Sequence, residues 1–154
     1  MEKAAVYASA LETHVGYWLR MVSNHVSHAF KLKVEARGVT VAEWVVLRQL
    51  LDMGEVNPSE LAERIGLTRG AISKLVERLV KKKLVSRRAG EADRRYQTVK
   101  LTATGRVLVP ALAALADRND AEFFGHFGAE ETAALIATLK GIVQRRQLKA
   151  VPVD

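Results

Sequence analysis

The fold of this chain is decided by residues 57–83, NPSELAERIGLTRGAISKLVERLVKKK. Asn57 supplies a side-chain oxygen at a helix cap, and Pro58 suits the first helical position, where its missing N–H costs nothing. Gly66 ends this short helix, and Thr68 caps a second helix that extends to the end of the segment. Two capped helices joined by a tight turn predict a helix-turn-helix.

The second of these helices has two different faces. Apolar residues recur on one side at the helical period, and polar, basic or small residues lie round the other. The apolar face consists of Ile72, Leu75, Val76 and Leu79, and the outer face of Arg69, Gly70, Ser73, Lys74, Glu77 and Arg78. The first face predicts anchorage in a core, and the second predicts a surface available to a partner.

The next segment, residues 85–102, has the pattern of a β-hairpin: VSRRAGEADRRYQTVKLT. Side chains from residue 96 onward alternate with a period of two, and the turn contains Gly90. Four arginines fall around this glycine: Arg87, Arg88, Arg94 and Arg95. We expect a two-stranded hairpin with a strongly basic tip.

Positive charge is concentrated in this middle region. The chain has 24 Lys plus Arg and 17 Asp plus Glu, a formal net charge of +7. Residues 57–101 contain twelve of the basic and five of the acidic residues, so the remainder is neutral. A solvated charged face normally mixes both signs, and the segregation therefore favours an anionic partner.

The regions before and after the middle predict helices. One long helix is expected over residues 5–35, where apolar residues form one stripe: Leu11, Val15, Trp18, Val22, Val26 and Ala29. Its length, on the order of 40 Å, exceeds what one domain of this size covers, so part of it should pack against another chain. Thr40 and Glu43 predict a capping box that opens a second helix, which Gly54 closes.

The C-terminal region predicts two more helices. Thr102 caps a long helix that is interrupted at Pro110 and continues to about His126, and Gly128 starts the last one. A chain of 154 residues suffices for one core. We therefore predict a mainly α fold with a small β-hairpin wing: a winged helix-turn-helix DNA-binding domain flanked by dimerisation helices, with boundaries at residues 1–37, 38–106 and 107–154.

Composition argues against several other classes. The absence of cysteine excludes disulfides, thiol nucleophiles and thiolate metal sites. The longest apolar run, residues 107–116, is half the length of a membrane span, and no secretory signal is visible, so we expect a cytoplasmic protein without a membrane partner. The sequence contains no glycine-rich phosphate loop, GxSxG motif or HExxH motif. We therefore expect neither an enzyme nor a cofactor. Three helical histidines lack carboxylates at comparable spacing, so we predict no metal site: His14, His25 and His28.

Double-stranded DNA fits the charged middle. A helix about 10–12 Å wide enters the roughly 12 Å major groove, where the base edges carry sequence information. The candidate contacts on the helix are Thr68, Arg69, Gly70, Ser73, Lys74 and Arg78. Those on the first strand are Arg87 and Arg88, which we expect to contact phosphates. An ordinary solvated face is the alternative, and Glu77 is better explained by an ion pair with Lys81 than by reading a base.

The hairpin tip suits the minor groove. A thin ribbon can reach the narrow groove, where the negative potential is strongest, and insert Arg94 or Arg95. Asp93 can hold a neighbouring guanidinium in one orientation. A flexible charged loop is the alternative explanation of these residues.

Residues 38–106 resemble the MarR family of bacterial winged-helix regulators. The resemblance is carried by NPSELAERIGLTRGAISKLVERLVKKKLVSRR and EADRRYQTVKLTATG. The family's wing pattern is an aspartate, any residue, an arginine and, seven residues later, a threonine after a leucine, which Asp93, Arg95, Leu101 and Thr102 match. The terminal helices agree with the family in length and order only.

The resemblance implies a homodimer with interlocked terminal helices, a recognition helix at residues 68–83 and Arg95 in the minor groove. It further implies that the dimer binds a pseudo-palindromic operator and represses transcription until a small ligand, often an aromatic acid, releases it from the DNA. Tyr17, Trp18 and Trp44 are candidate contacts for such an aromatic or lipophilic effector, although large aromatics are more often part of a core or dimer interface. A winged helix that binds nucleic acid without sequence preference, or that serves as a protein adaptor, remains the alternative function.

Overall fold

The fold is mainly helical, with one β-hairpin after the fourth helix. The computed structural model of the chain describes residues 7–90 and 97–149. After a short 3₁₀ turn at Leu11–Thr13, the elements are α1 (Val15–Glu35), α2 (Val41–Met53), α3 (Pro58–Ile65), α4 (Arg69–Lys81), β1 (Val85–Ala89), β2 (Gln97–Leu101), α5 (Ala103–Phe124) and α6 (Ala129–Arg146). This order confirms the predicted mainly α fold with a hairpin wing.

The caps of α3 and α4 form as the sequence predicts. The Asn57 Oδ1 accepts a hydrogen bond from the Glu60 N–H at 2.8 Å, and the Thr68 Oγ1 accepts one from Ala71 at 3.1 Å. Gly66, between the two helices, has a φ of 82°, which costs a glycine little. Local side-chain chemistry therefore sets the turn of the helix-turn-helix.

The end of α4 differs from the prediction by two residues. The helix stops at Lys81, and Lys83 adopts a φ of 62°. The Leu84 N–H donates to the Leu79 carbonyl at 3.0 Å and the Lys83 N–H to Val80 at 2.9 Å, which is a Schellman motif with lysine at the left-handed position. The run of three lysines conceals this stop because lysine itself favours helices.

The wing is an antiparallel pair with a third segment bridged to it. In the β1–β2 register, Val85 lies opposite Leu101 and Arg88 opposite Thr98. Val56, in the connection between α2 and α3, exchanges two backbone hydrogen bonds with Val99, of 2.7 and 3.1 Å. The sequence did not predict this bridge, which ties the base of the wing to the helix-turn-helix.

The core occupies the middle of the chain. Its buried apolar residues come from α2, α3, α4, the hairpin and the near ends of α1 and α5: Val34, Val39, Val46, Leu47, Leu50, Val56, Leu61, Ala62, Ile65, Ile72, Leu75, Val76, Leu79, Leu84, Val85, Val99, Leu101, Val109 and Leu112. All four residues predicted for the apolar face of α4 are among them. The apolar faces of α3, α4 and the hairpin therefore converge on one core.

The start of α5 is locked to the base of the wing. The Thr102 N–H donates to the Leu84 carbonyl at 3.0 Å, and its hydroxyl donates to the Lys83 carbonyl at 2.8 Å. The same hydroxyl oxygen accepts the Gly105 N–H at 3.1 Å and so caps α5. A Cβ at residue 105 would collide with the Leu84 carbonyl oxygen, so only glycine allows this close approach.

Two predictions about the long helices were wrong. His14 is in an extended conformation, so α1 begins at Val15 and Leu11 lies in the preceding 3₁₀ turn. Pro110 does not interrupt α5, which is one helix from residue 103 to 124. Both Pro110 and Arg106 are exposed, so water can solvate the carbonyl that loses its helical donor.

A buried polar side chain joins α5 to α1. Asn119 is buried, and its Nδ2 donates to the Val26 carbonyl at 3.1 Å. Lys33 donates to the Asn119 Oδ1 at 2.9 Å and to Glu122 at 2.8 Å. These bonds hold the two helices in one register.

Candidate nucleic-acid interface

The outer face of α4 is exposed along its length. The side chains predicted to contact DNA from the first two turns all lie on this surface: Thr68, Arg69, Gly70, Ser73 and Lys74. The amides of Arg69 and Gly70 belong to the first turn, where an α-helix offers them no acceptor. This end of α4 therefore presents two cations, small side chains and backbone donors, which together suit phosphate and base edges.

Arg78 has a partner within the chain that the sequence analysis did not identify. Its Nη2 and Nε donate to the Glu43 Oε1 at 2.9 and 3.3 Å. The Lys82 Nζ donates to the other carboxylate oxygen at 2.7 Å. Thr40 caps α2 as predicted, but the Glu43 carboxylate accepts hydrogen bonds from Arg78 on α4 and from Lys82 just after it. A contact of Arg78 with DNA stays a prediction.

The Glu43 carboxylate is ionised although it is buried. Burial acts to raise its pKa, but the hydrogen bonds from Lys82 and Arg78 and their positive charges outweigh burial, so the pKa lies below the ordinary 4.5. Only 1% of the Glu43 side chain is exposed, against 49% for Arg78 and 38% for Lys82. A buried anion is thus neutralised by two cations that still reach the surface.

The first strand of the wing presents Arg87 and Arg88 on opposite faces. Both residues are exposed, and because they are consecutive in a strand their side chains point in opposite directions. Glu55 lies beside the Arg88 face, where its Oε1 accepts the Thr98 hydroxyl at 2.6 Å. This hydrogen bond lowers the pKa of Glu55, and the charges of Lys100 and Arg88 lower it further. The wing therefore carries cations on both faces and a carboxylate brace at its base.

The tip of the wing lies outside the described residues. This applies to the predicted minor-groove residues Asp93, Arg94 and Arg95. The strands that lead to them, residues 85–89 and 97–101, project from the same core as α4.

On α4, the predicted ion pair of Glu77 with Lys81 forms, with 3.6 Å between the Glu77 Oε1 and the Lys81 Nζ.

The three candidate effector residues lie in two separate places. Tyr17 and Trp18 form an edge-to-face pair with ring centroids 5.3 Å apart, and Trp44 forms another with Phe30 at 6.2 Å. Trp18 and Phe30 are twelve residues apart on α1, about 18 Å at 1.5 Å per residue. Within one chain, therefore, these aromatics do not line one cavity, and their role in binding an effector stays a prediction.

An apolar groove lies between α1 and the C-terminal helices. Its volume is about 450 Å³, and its walls are formed by Val15, Trp18, Leu19, Val22, Ser23, Val26, Ser27, Phe124, Phe127, Leu135 and Leu139. No residue of α6 is buried, and its apolar side is exposed at Leu135, Ile136, Leu139, Ile142 and Val143.

None of the helices in residues 7–90 and 97–149 combines the length and the apolar character that a membrane span requires.

A helix-turn-helix with a basic outer helix and an adjoining basic hairpin defines a winged-helix DNA-binding protein. The sequence model of the MarR family matches residues 37–95, from the end of α1 into the wing. The transcriptional regulator HosA of Escherichia coli O157:H7 is 29% identical over 104 residues, 68% of this chain and 77% of HosA. In sequence, this chain is therefore similar to the MarR family over residues 37–95 and to a transcriptional regulator of Escherichia coli.

Solved structures extend the similarity to the terminal helices. BpsR of Bordetella bronchiseptica, described in terms of regulation of its DNA binding by 6-hydroxynicotinic acid, is 26% identical with a TM-score of 0.76, over 88% of this chain and 97% of BpsR. CouR of Rhodococcus jostii RHA1, bound to p-coumaroyl-CoA, is 27% identical with a TM-score of 0.74, over 88% of this chain and 95% of CouR. The fold over 88% of this chain is therefore similar to that of these two proteins.

Proposed function

We propose that this protein is a MarR-family regulator that binds a pseudo-palindromic operator as a homodimer and represses transcription until a small ligand releases it. The observation that carries the proposal is the exposed basic face of α4 beside an equally basic wing, in a segment that holds the whole net charge of the chain. In this arrangement α4 lies in the major groove through Thr68, Arg69, Gly70, Ser73 and Lys74. Arg87 and Arg88 bind phosphates, and Arg95 enters the minor groove, oriented by Asp93 and flanked by Arg94.

A second copy of the chain is the proposed occupant of the apolar surface on α1 and α6. The apolar side of α6 has no covering layer within the described part of the chain, and an exposed patch of this kind marks a protein interface. A symmetric pair of chains places two α4 helices about one DNA turn apart, roughly 34–36 Å. Operator symmetry then mirrors the symmetry of the protein.

The proposed effector is a small aromatic or lipophilic compound. Two relatives of known structure support this chemistry, since BpsR is described with 6-hydroxynicotinic acid and CouR with p-coumaroyl-CoA. Trp18 and Tyr17, beside the α1 groove, and Trp44, beside Phe30, are the aromatic surfaces that such a ligand could contact. In the dimer the partner chain completes the walls of the groove.

The proposal is tested by comparing binding to the upstream intergenic DNA with binding to a random duplex of equal length. Fluorescence anisotropy titrations at physiological salt should give a preference of roughly 10³-fold or more for the operator. Footprinting should protect two half-sites related by a two-fold axis. Equal affinity for both duplexes would instead support a winged helix that binds nucleic acid without sequence preference, and absence of binding to either would support a protein adaptor.

A further inference from the structure

The ion-pair cluster of Glu43, Arg78 and Lys82 connects α2 to the C-terminal half of α4. Glu43 is buried near the start of α2, Arg78 lies in the last turn of α4, and Lys82 is the cap residue directly after the helix ends. Three hydrogen bonds of 2.7, 2.9 and 3.3 Å end on the single carboxylate. The bonds come from the helix that presents the proposed DNA contacts.

Each cation also has a second acceptor near the start of α2. The Arg78 Nη2 donates to the Thr40 Oγ1 at 3.3 Å, and the Lys82 Nζ donates to the Gly38 carbonyl at 2.9 Å. A roll or slide of α4 would break these bonds and leave the Glu43 carboxylate buried without partners, which is strongly unfavourable. The cluster therefore sets the rotation of α4 about its own axis as well as its distance from α2.

The same bonds determine which cations of α4 are available to DNA. Arg69 and Lys74 are exposed on the outer face; Arg78 and Lys82 also reach the surface, but they donate hydrogen bonds to Glu43. Cations that contact phosphates raise the affinity for DNA of every sequence. A carboxylate that engages two of them therefore reduces the sequence-independent part of binding.

We propose that Glu43 is a positioning residue for DNA recognition, which fixes the rotation of α4 and keeps Arg78 and Lys82 away from phosphates. Its effect is to increase the ratio of operator affinity to random-duplex affinity. The inference rests on the proposed operator binding, and it revises the predicted role of Arg78. Packing alone does not require such a cluster, since apolar residues of similar volume hold two helices together at least as well.

The test compares Glu43→Gln with wild type on the operator and on a random duplex over a range of salt concentrations. The variant keeps the shape of the side chain but releases the two cations. We expect the slope of log K against log salt to steepen by about one to two units, because each additional phosphate contact adds about 0.9. The operator preference should fall by about tenfold, which is the size of one lost base contact.

Asp52→Asn is the matched control for loss of one negative charge. Asp52 pairs with Arg48 at 2.9 Å at the other end of α2, and its side chain is exposed. The control should leave both the slope and the operator preference unchanged. An equal change in both variants would overturn the proposal, since the effect would then come from net charge.

Lys82→Met provides a second arm that does not require Glu43 to be changed. We expect an unchanged salt slope, because Lys82 does not bind phosphate, together with a lower operator preference. Lys74→Met, by contrast, should reduce the slope by about one unit. If Glu43→Gln does not fold, circular dichroism will show it, and the Lys82→Met result then decides.

The proposal is overturned if folded Glu43→Gln has wild-type slope and preference, or if Lys82→Met reduces the slope by about one unit. If the wild-type protein itself shows no preference between the two duplexes, the proposed operator binding is contradicted instead. In that case the salt slopes on the random duplex still test whether Glu43 withholds the two cations. The two failures are therefore distinguishable.

Discussion

The middle of the chain and its C-terminal end differ in where their apolar side chains find partners. Among residues 7–90 and 97–149, the buried apolar residues of the core all lie from Val34 to Leu112. The last helix, α6, has apolar residues at similar helical spacing but none of them is buried. The difference teaches that amphipathic pattern alone does not say whether a face is covered by its own chain or by another.

The two regions also differ in charge. Residues 57–101 hold the entire excess of positive charge, and the remainder of the chain is balanced. A basic surface suits a polyanion, and a neutral apolar surface suits a protein. We therefore expect substitutions in the middle to affect stability and DNA contacts, and substitutions in α6 to affect association.

The largest expected effect comes from charging the exposed side of α6. The double variant Ile136→Asp and Val143→Asp places two carboxylates on the stripe that we assign to the second copy. Light scattering should give the mass of one chain instead of two. Operator affinity should fall by about 10²-fold or more, because two linked half-site contacts become one.

The control for this variant uses the opposite side of the same helix. Ala134→Asp with Gly141→Asp has the same seven-residue spacing and the same added charge, but these positions point away from the stripe. This control should remain dimeric and bind the operator as wild type does. Monomers from both variants would show that charge on α6, not loss of one face, disrupts association, and the comparison of regions would fail.

A pair of glycine substitutions sharpens the comparison in terms of stability. Gly105→Ala adds a Cβ that collides with the Leu84 carbonyl, and we expect a loss of about 2–3 kcal/mol in the free energy of unfolding. Gly141→Ala meets no atom within 4 Å in a helix interior, and we expect a gain of about 0.5–1 kcal/mol. Urea denaturation followed by circular dichroism measures both. Similar values for the two variants would contradict the close packing at the base of the wing.

A smaller effect is expected in the pH dependence of stability. Because the folded pKa of Glu43 lies below 4.5, its stabilising contribution is complete above about pH 4.5 and is lost as pH falls through the folded pKa. At neutral pH, the free energy of unfolding of wild type should exceed that of Glu43→Gln by about 1.5 kcal/mol, and this difference should shrink in acid. Glu122, an exposed carboxylate paired with Lys33 and Arg118, should give a smaller difference when replaced by Gln.

Denaturation curves at several pH values between neutral and about 3 check this prediction. Other carboxylates also titrate in this range, so the quantity to compare is the gap between wild type and variant at each pH. A gap that stays constant as the pH falls would show that the Glu43 carboxylate contributes nothing through its charge.

The features that the sequence predicted correctly depend on neighbouring residues. The Asn57 and Thr68 caps, the Gly66 turn and the buried side of α4 all follow from side chains within a few positions of one another. The errors arise where a local preference misleads. The stop of α4 at Lys81 falls in a run of lysines, which favour helices, and the helical path through Pro110 depends on solvation that a local pattern does not contain.

The contacts that the sequence did not predict join distant segments. Glu43 and Lys82 are 39 residues apart, and Asn119 lies 93 residues from the carbonyl of Val26 that it binds. The separation of Trp18 from Trp44 is of the same kind, since it depends on how α1 crosses α2. A glutamate near a helix start matches a capping box, and nothing in its neighbourhood indicates two cations from another helix.

By itself, therefore, the sequence determined the helices, the hairpin, the basic middle and the family resemblance, because caps, periodicity and charge are properties of short segments. Only the tertiary structure decided that Arg78 and Lys82 pair with Glu43 and that Gly105 must be a glycine. It also decided that α6 leaves its apolar side uncovered within the described chain. These features arise from chain segments brought together by folding, and their energies depend on burial and distance, which no local pattern specifies.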